Sequence, residues 1–193
     1  MQFTEHLTDA ELILAYQQGN ENALSVLINR HKDKVYTTLY MLVKDKYLAE
    51  DLFQDTFLKI VKTIKEGRYG EQGKFVQWAV RVARNLCMDH FRRTKVQVPV
   101  TLPDGQDISA LFGQSDLVAD GIERRQVHDS VRKLVEALPY EQREVIVLRM
   151  YSDLSFKEIS ELTGVSINTA LGRMRYALIN LRRSIADKQL VLR

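Results

Sequence analysis

The sequence predicts an all-α protein of two small helical domains joined by an irregular acidic linker. Three observations carry that prediction. Nine Gly and three Pro in 193 residues are few breakers, which favours long helices over a sheet-rich fold. Apolar residues recur at helical spacing through two separate blocks. Between the blocks, residues 96–121 hold Pro99, Pro103, Gly105, Gly113 and Gly121, and no helical period survives there. The expected units are residues 1–95, the linker 96–129, and residues 130–193.

Composition narrows the class. With 45% hydrophobic and 27% charged residues, the chain is neither a disordered tail, a collagen-like fibre nor a membrane channel. No run approaches the ~20 apolar residues of a spanning helix, so no membrane insertion is expected. Met1-Gln2-Phe3-Thr4-Glu5-His6 lacks the basic-then-apolar layout of a secretory leader. Cys87 is the single cysteine and cannot close an internal disulfide, which fits a reducing compartment, and a cytoplasmic location is expected.

In the first block, Thr8-Asp9-Ala10-Glu11 is a capping box, so a helix starts near Asp9 and ends near Gly19. A second helix begins at about Glu21, with Leu24, Leu27, Ile28, His31 and Val35 on one face. A third begins near Tyr47 and carries Phe53, Phe57, Ile60 and Ile64 at steps of four, three and four. Its other side shows Asp51, Gln54, Asp55, Lys59 and Lys62. Residues 66–74 contain three glycines and read as a loop, without the Gly-Lys-Ser/Thr spacing of a phosphate-binding loop. A fourth helix runs from Phe75 to about Thr94. Phe75, Trp78, Ala79, Val82, Ala83 and Leu86 form its apolar stripe, with Arg81, Arg84, Asn85, Asp89, Arg92 and Arg93 largely around the rest. Arg and Asn grip phosphates and read unpaired bases. A merely solvated face has the same composition.

The linker holds two basic against six acidic residues, and Val96-Gln97-Val98 has no sheet to join. In the second block, a helix from about Ile122 to Ala137 leads to Leu138-Pro139. Proline suits the first turn of the next helix, which should reach about Tyr151 with Val145, Leu148 and Tyr151 among its inward candidates. Ser155-Phe156-Lys157-Glu158 is a second capping box, opening a short helix to Leu162. Gly164 supplies a left-handed stop, Val165 packs beneath it, and Ser166 caps a helix to about Ile185 that buries Ala170, Met174, Ala177 and Leu181. This is the grammar of a helix-turn-helix. The exposed start of the last helix carries Asn168, Thr169, Gly172, Arg173, Arg175 and Tyr176, the polar, donor-rich set that reads base edges in a major groove. Residues 166–193 hold six basic residues against one acidic, which favours a polyanion partner.

Three stretches together resemble RNA polymerase sigma factors of the sigma-70 class, in the small two-domain extracytoplasmic-function (ECF) group. Leu48 through Lys59 is similar to the segment that binds core polymerase, Phe75 through Arg93 to the promoter-melting helix, and Leu138 through Arg183 to the domain that reads the upstream element. The resemblance implies a sigma-2-like bundle and a sigma-4-like helix-turn-helix domain, with core RNA polymerase and promoter DNA as partners and an anti-sigma factor as a common further one. It implies that Asp51, Gln54, Asp55 and Lys59 dock on core polymerase. It implies that Tyr69, Lys74, Trp78, Arg84, Asn85, Arg92 and Arg93 meet the −10 element, with the loop before the melting helix receiving a flipped base. It implies that Asn168, Thr169, Gly172, Arg173, Arg175 and Tyr176 meet the −35 element. The run Thr169-Ala170-Leu171-Gly172-Arg173 departs from the family's usual recognition-helix pattern, and Val61 stands where an aromatic is common.

Two other readings stand beside it. A stand-alone helix-turn-helix regulator, dimeric on an operator, explains residues 138–185 equally well. It does not explain the Asp51, Gln54, Asp55 face or the helix with Trp78. A nucleic-acid enzyme would need a site. The four histidines are scattered, so no metal and no cofactor is expected, and Glu50, Asp51 and Asp55 suit a partner or solvent better than acid–base chemistry. No enzymatic activity is expected.

Overall fold

The structure is a computed structural model that describes residues 6–70, 73–94 and 130–187. Among them the regular structure is helical and no strand occurs. The expected linker, its Val96–Val98 run and the expected helix start at Ile122 lie outside the described residues.

Four helices build the first block: α1 (Asp9–Gln17), α2 (Glu21–Val43), α3 (Lys46–Lys65) and α4 (Phe75–Thr94). The Thr8 hydroxyl accepts from the Glu11 amide at 3.3 Å, and the Glu11 carboxylate accepts from the Thr8 amide at 2.7 Å. Asn20 caps α2 by accepting from the Asn22 amide, and Asp45 caps α3 by accepting from the Leu48 amide at 3.0 Å. Each cap satisfies an amide that the first helical turn leaves without a partner. Leu12, Leu27, Leu39, Ile60, Phe75 and Ala83 share one core. Fully burying such a large apolar side chain is worth roughly 1.5–3 kcal/mol, so this core outweighs the caps.

The second block holds α5 (130–136), α6 (Tyr140–Ile146), a π-helical turn (Val147–Tyr151), α7 (Phe156–Thr163) and α8 (Ile167–Asp187). The helix expected to run to Tyr151 thus changes character after Ile146. Its widened last turn brings Ser152 within 3.1 Å of the Thr38 hydroxyl, and Lys34 holds Asp153 at 2.8 Å. Gly164 ends α7 at φ 72°, a left-handed conformation that glycine adopts without a side-chain clash. Asn180 on α8 donates to Gln142 on α6 at 2.8 Å, tying the last helix back to the block.

The two blocks pack directly on each other, and this changes two expectations. The single apolar face assigned to α2 is too narrow: Leu24, Ile28 and His31 are half-buried, while Leu39 and Leu42 are buried in the first core and Thr38 and Met41 are buried against the second block. Met41 shares a cluster with Val135, Leu138, Ile146, Val147 and Ala177. The stripe on α4 is also wider than expected. Trp78, Val82 and Leu86 are only half-buried, and Val80 is fully buried against Val145, Leu148, Leu154, Ile159 and Ala170.

Candidate polymerase and nucleic-acid interfaces

On α3, Leu52, Thr56, Phe57 and Ile60 face the core, so the residues between them face outward. Asp51, Gln54, Asp55 and Lys59 are all exposed. They share this surface with two large side chains that sequence reasoning missed, Tyr47 at 79% exposure and Leu58 at 69%. Residues 47, 51, 54 and 58 step by four, three and four and so fall on one face. The spacing was visible, but periodicity alone sends apolar residues inward. The result is a carboxylate-and-amide face rimmed by apolar groups, a surface whose charge complements a basic partner.

The start of α4 gathers aromatic rings. Tyr69 lies 4.5 Å from Trp78 and 6.0 Å from Phe75, centroid to centroid, and Phe75 lies 5.9 Å from Trp78. Phe75 is buried, so it anchors the other two, which stay half-buried at the surface. Such a corner offers ring faces for stacking an unpaired base. Trp78, Asn85 and Arg92 recur at steps of seven and lie along one line of the helix; Asn85 and Arg92 are exposed. Arg92 pairs with Asp89 at 3.2 Å, and Arg93 donates from Nε to the Asp89 carbonyl at 3.3 Å.

Lys74 and Arg84 take a different direction. Lys74 donates from Nζ to Glu158 at 3.0 Å. Arg84 donates from Nε to Glu144 at 3.0 Å and from Nη1 to the Leu162 carbonyl at 2.9 Å. Tyr140 donates its hydroxyl to the same Glu144 oxygen at 3.0 Å. Burial and that carboxylate push the Tyr140 phenol well above its ordinary range, so it stays a donor. Arg143, also buried, donates to the Leu138 carbonyl at 3.0 Å and to the Leu42 carbonyl at 3.5 Å, bridging the blocks. Sequence reasoning singled out none of Tyr140, Arg143 and Glu144. Tyr140, Glu144 and Leu148 do follow at steps of four, but a polar pair on such a face reads as solvent-facing until the two blocks meet.

On α8, Ser166 accepts from the Thr169 amide at 3.0 Å, and the two hydroxyls lie 2.8 Å apart. Asn168, Thr169, Arg175 and Tyr176 are exposed, and Gly172 and Arg173 are half-buried. Ala170 and Ala177 are buried, which turns Asn168, Thr169, Arg175 and Tyr176 outward, while Arg173, three residues from Ala170 and four from Ala177, lies beside the buried side.

Cys87 is fully buried, and burial pushes its thiol up to about 12. Burial also lowers His31, against the pull of Asp9 at 2.8 Å. Among the described residues, no cluster of His, Cys, Asp and Glu could hold a metal, and no helix is long and apolar enough to cross a membrane.

Comparison with known proteins matches both blocks. The family model described as Sigma-70 region 2 matches residues 27–96, and that described as Sigma-70, region 4 matches residues 128–176. The first of these accounts for the half that a stand-alone regulator leaves unexplained, so that alternative is not favoured. The ECF RNA polymerase sigma factor SigM of Bacillus subtilis is 30% identical over 136 residues, covering 70% of this chain and 78% of the relative. SigW of Bacillus subtilis is 26% identical over 176 residues, covering 89% of this chain and 93% of the relative. BldN of Streptomyces coelicolor is 31% identical over 180 residues, covering 92% of this chain and 66% of that longer relative. Two solved structures share the fold. CnrH in complex with the cytosolic domain of CnrY has a TM-score of 0.59 at 20% identity, covering 94% of this chain and 99% of that one. The sigma factor RpoE in complex with the anti-sigma factor NepR from Bartonella quintana has a TM-score of 0.57 at 21% identity, covering 81% and 92%. The chain belongs to the ECF group of sigma-70-class RNA polymerase sigma factors, transcription initiation factors that direct RNA polymerase to promoters.

Proposed function

We propose a division of labour within this sigma factor. Residues 1–95 dock on core polymerase and open the −10 element, residues 130–193 read the −35 element, and residues 96–129 tether the two. Asp51, Gln54, Asp55 and Lys59 form the docking face, with Tyr47 and Leu58 as its apolar rim. Tyr69 and Trp78 stack an extracted base, Asn85 hydrogen-bonds it, and Lys74, Arg84, Arg92 and Arg93 hold phosphates. Extraction costs a few kcal/mol, which stacking and hydrogen bonds repay. Asn168, Thr169, Gly172, Arg173, Arg175 and Tyr176 enter the major groove.

The observation that carries this reading is the exposed Asp51, Gln54 and Asp55 face, solvent-facing on the same chain as the exposed start of α8. The protein acts without catalysis of its own, in the cytoplasm where its polymerase is. An anti-sigma factor is a fitting regulator, since RpoE of similar fold was solved with one. Replacing both Asp51→Lys and Asp55→Lys tests the docking face. The variant should keep its thermal midpoint and lose its complex with core polymerase in gel filtration. Retained binding would place docking elsewhere.

A further inference from the structure

The surface of α8 carries two neighbouring rows of residues at steps of four. One is Asn168, Gly172 and Tyr176, and the row beside it is Ile167, Leu171 and Arg175. The first row offers an amide, a gap and a phenol. The second opens with two aliphatic side chains. Ile167 and Leu171 are each 44% exposed, while Ala170 and Ala177 on the same helix are fully buried. Gly172 answers no packing need, since a Cβ added there would meet nothing within 4 Å. A residue that weakens a helix thus stands where the backbone is open to an incoming surface, and Leu171 is next to that opening. Single exposed aliphatic residues are ordinary. This pair, however, sits among the polar side chains Asn168 and Thr169, in the stretch that matches the Sigma-70 region 4 model.

Base pairs show hydrogen-bond donors and acceptors in the major groove, and one apolar group, the C5 methyl of thymine. We propose that Leu171 reads a thymine methyl in the −35 element, with Ile167 extending the apolar contact and Gly172 allowing the close approach. This role rests on the assignment of α8 to the −35 element and gives that helix its base chemistry. Asn168 lies three residues before Leu171 on the same face, and an Asn amide can pair through two hydrogen bonds with adenine. Together the two side chains favour adenine and thymine within one short stretch. Leu178 lines a groove with Leu171, Phe156 and Met174. It stands about 10 Å farther along α8, out of reach of a base seated at Gly172.

The test uses the full chain bound to core polymerase. Promoter duplexes are selected from a random library, and the thymines of the recovered upstream element are replaced one at a time by deoxyuridine, which lacks only the C5 methyl. For at least one thymine the exchange should weaken binding by the parent about fourfold, the worth of one buried methyl group. Leu171→Ala should bind the thymine duplex more weakly than the parent and no longer distinguish it from the deoxyuridine duplex. Its thermal midpoint should match the parent's, because Leu171 is exposed and alanine favours a helix. Leu178→Ala should distinguish the two duplexes as the parent does. Four results would each overturn the role of Leu171 and leave α8 at the −35 element: an upstream element without thymine, equal binding of the two duplexes by the parent, discrimination that survives Leu171→Ala, or discrimination lost equally in Leu178→Ala. A selection that recovers no upstream element would strike the −35 assignment itself, and the role of Leu171 with it.

Discussion

Asn85 and Arg84 are neighbours in sequence and face different partners. Asn85 is exposed on the line that Trp78 and Arg92 share, whereas Arg84 is held by Glu144 and the Leu162 carbonyl. Asn85→Ala should therefore weaken strand opening more than closed-complex formation. Permanganate reactivity of promoter thymines should fall while upstream footprints persist; a footprint equal to the parent's would remove Asn85 from base capture. Arg173 sits half-buried at the second turn of α8. Arg173→Ala should cost about 1–3 kcal/mol of −35 binding if its guanidinium contacts a base, measured by titration against duplexes with and without that element. Cys87 makes a simpler case. A fully buried thiol raised to about 12 holds almost no thiolate at neutral pH. A thiol reagent should leave the native chain unlabelled and react on unfolding; rapid native labelling would mean that α4 opens readily.

At the scale of elements, the helix-turn-helix depends on caps. Glu158 closes the box with Ser155, accepting from its amide at 2.8 Å and its hydroxyl at 2.7 Å. That backbone hydrogen bond, with Lys74 beside it, holds the carboxyl at about 2, below its ordinary 4.5. A depressed carboxyl contributes stability that is full above the ordinary value and is lost as pH falls through the shifted one. The thermal midpoint of the parent should therefore exceed that of Glu158→Gln at pH 6, and the gap should close between about pH 4.5 and pH 2. A gap unchanged across that range would mean the carboxylate charge adds nothing. Gly164 gives a backbone test. An added Cβ there meets nothing within 4 Å, so Gly164→Ala should cost only the left-handed penalty of roughly 1–2 kcal/mol. These features were legible in the sequence, because a capping box and a Gly stop are local. Helix α4 was equally legible. The π-helical turn at Val147–Tyr151 was not; the residues that follow it, Ser152 and Asp153, meet Thr38 and Lys34 more than a hundred residues away, and such contacts are not written in the local spacing.

The same distinction governs the whole molecule. Asp51, Gln54 and Asp55 could be placed outside from the spacing of their apolar neighbours, since a helix face is settled within four residues. The direction of Lys74, Arg81 and Arg84 could not, because it is set by Glu158, Glu161 and Glu144 on the other block. Tyr47 and Leu58 likewise look like core residues until the bundle leaves them outside. Interfaces between blocks are the layer of structure that a periodic reading omits. This chain, bound to core polymerase, chooses where transcription starts. Run-off transcription by core polymerase, with and without the purified chain, over a library of promoter templates tests it most directly. The chain should convert core into an enzyme that starts at one defined class of templates, through a one-to-one complex that Asp51→Lys with Asp55→Lys abolishes. An unchanged pattern of initiation on addition of the chain would contradict the account.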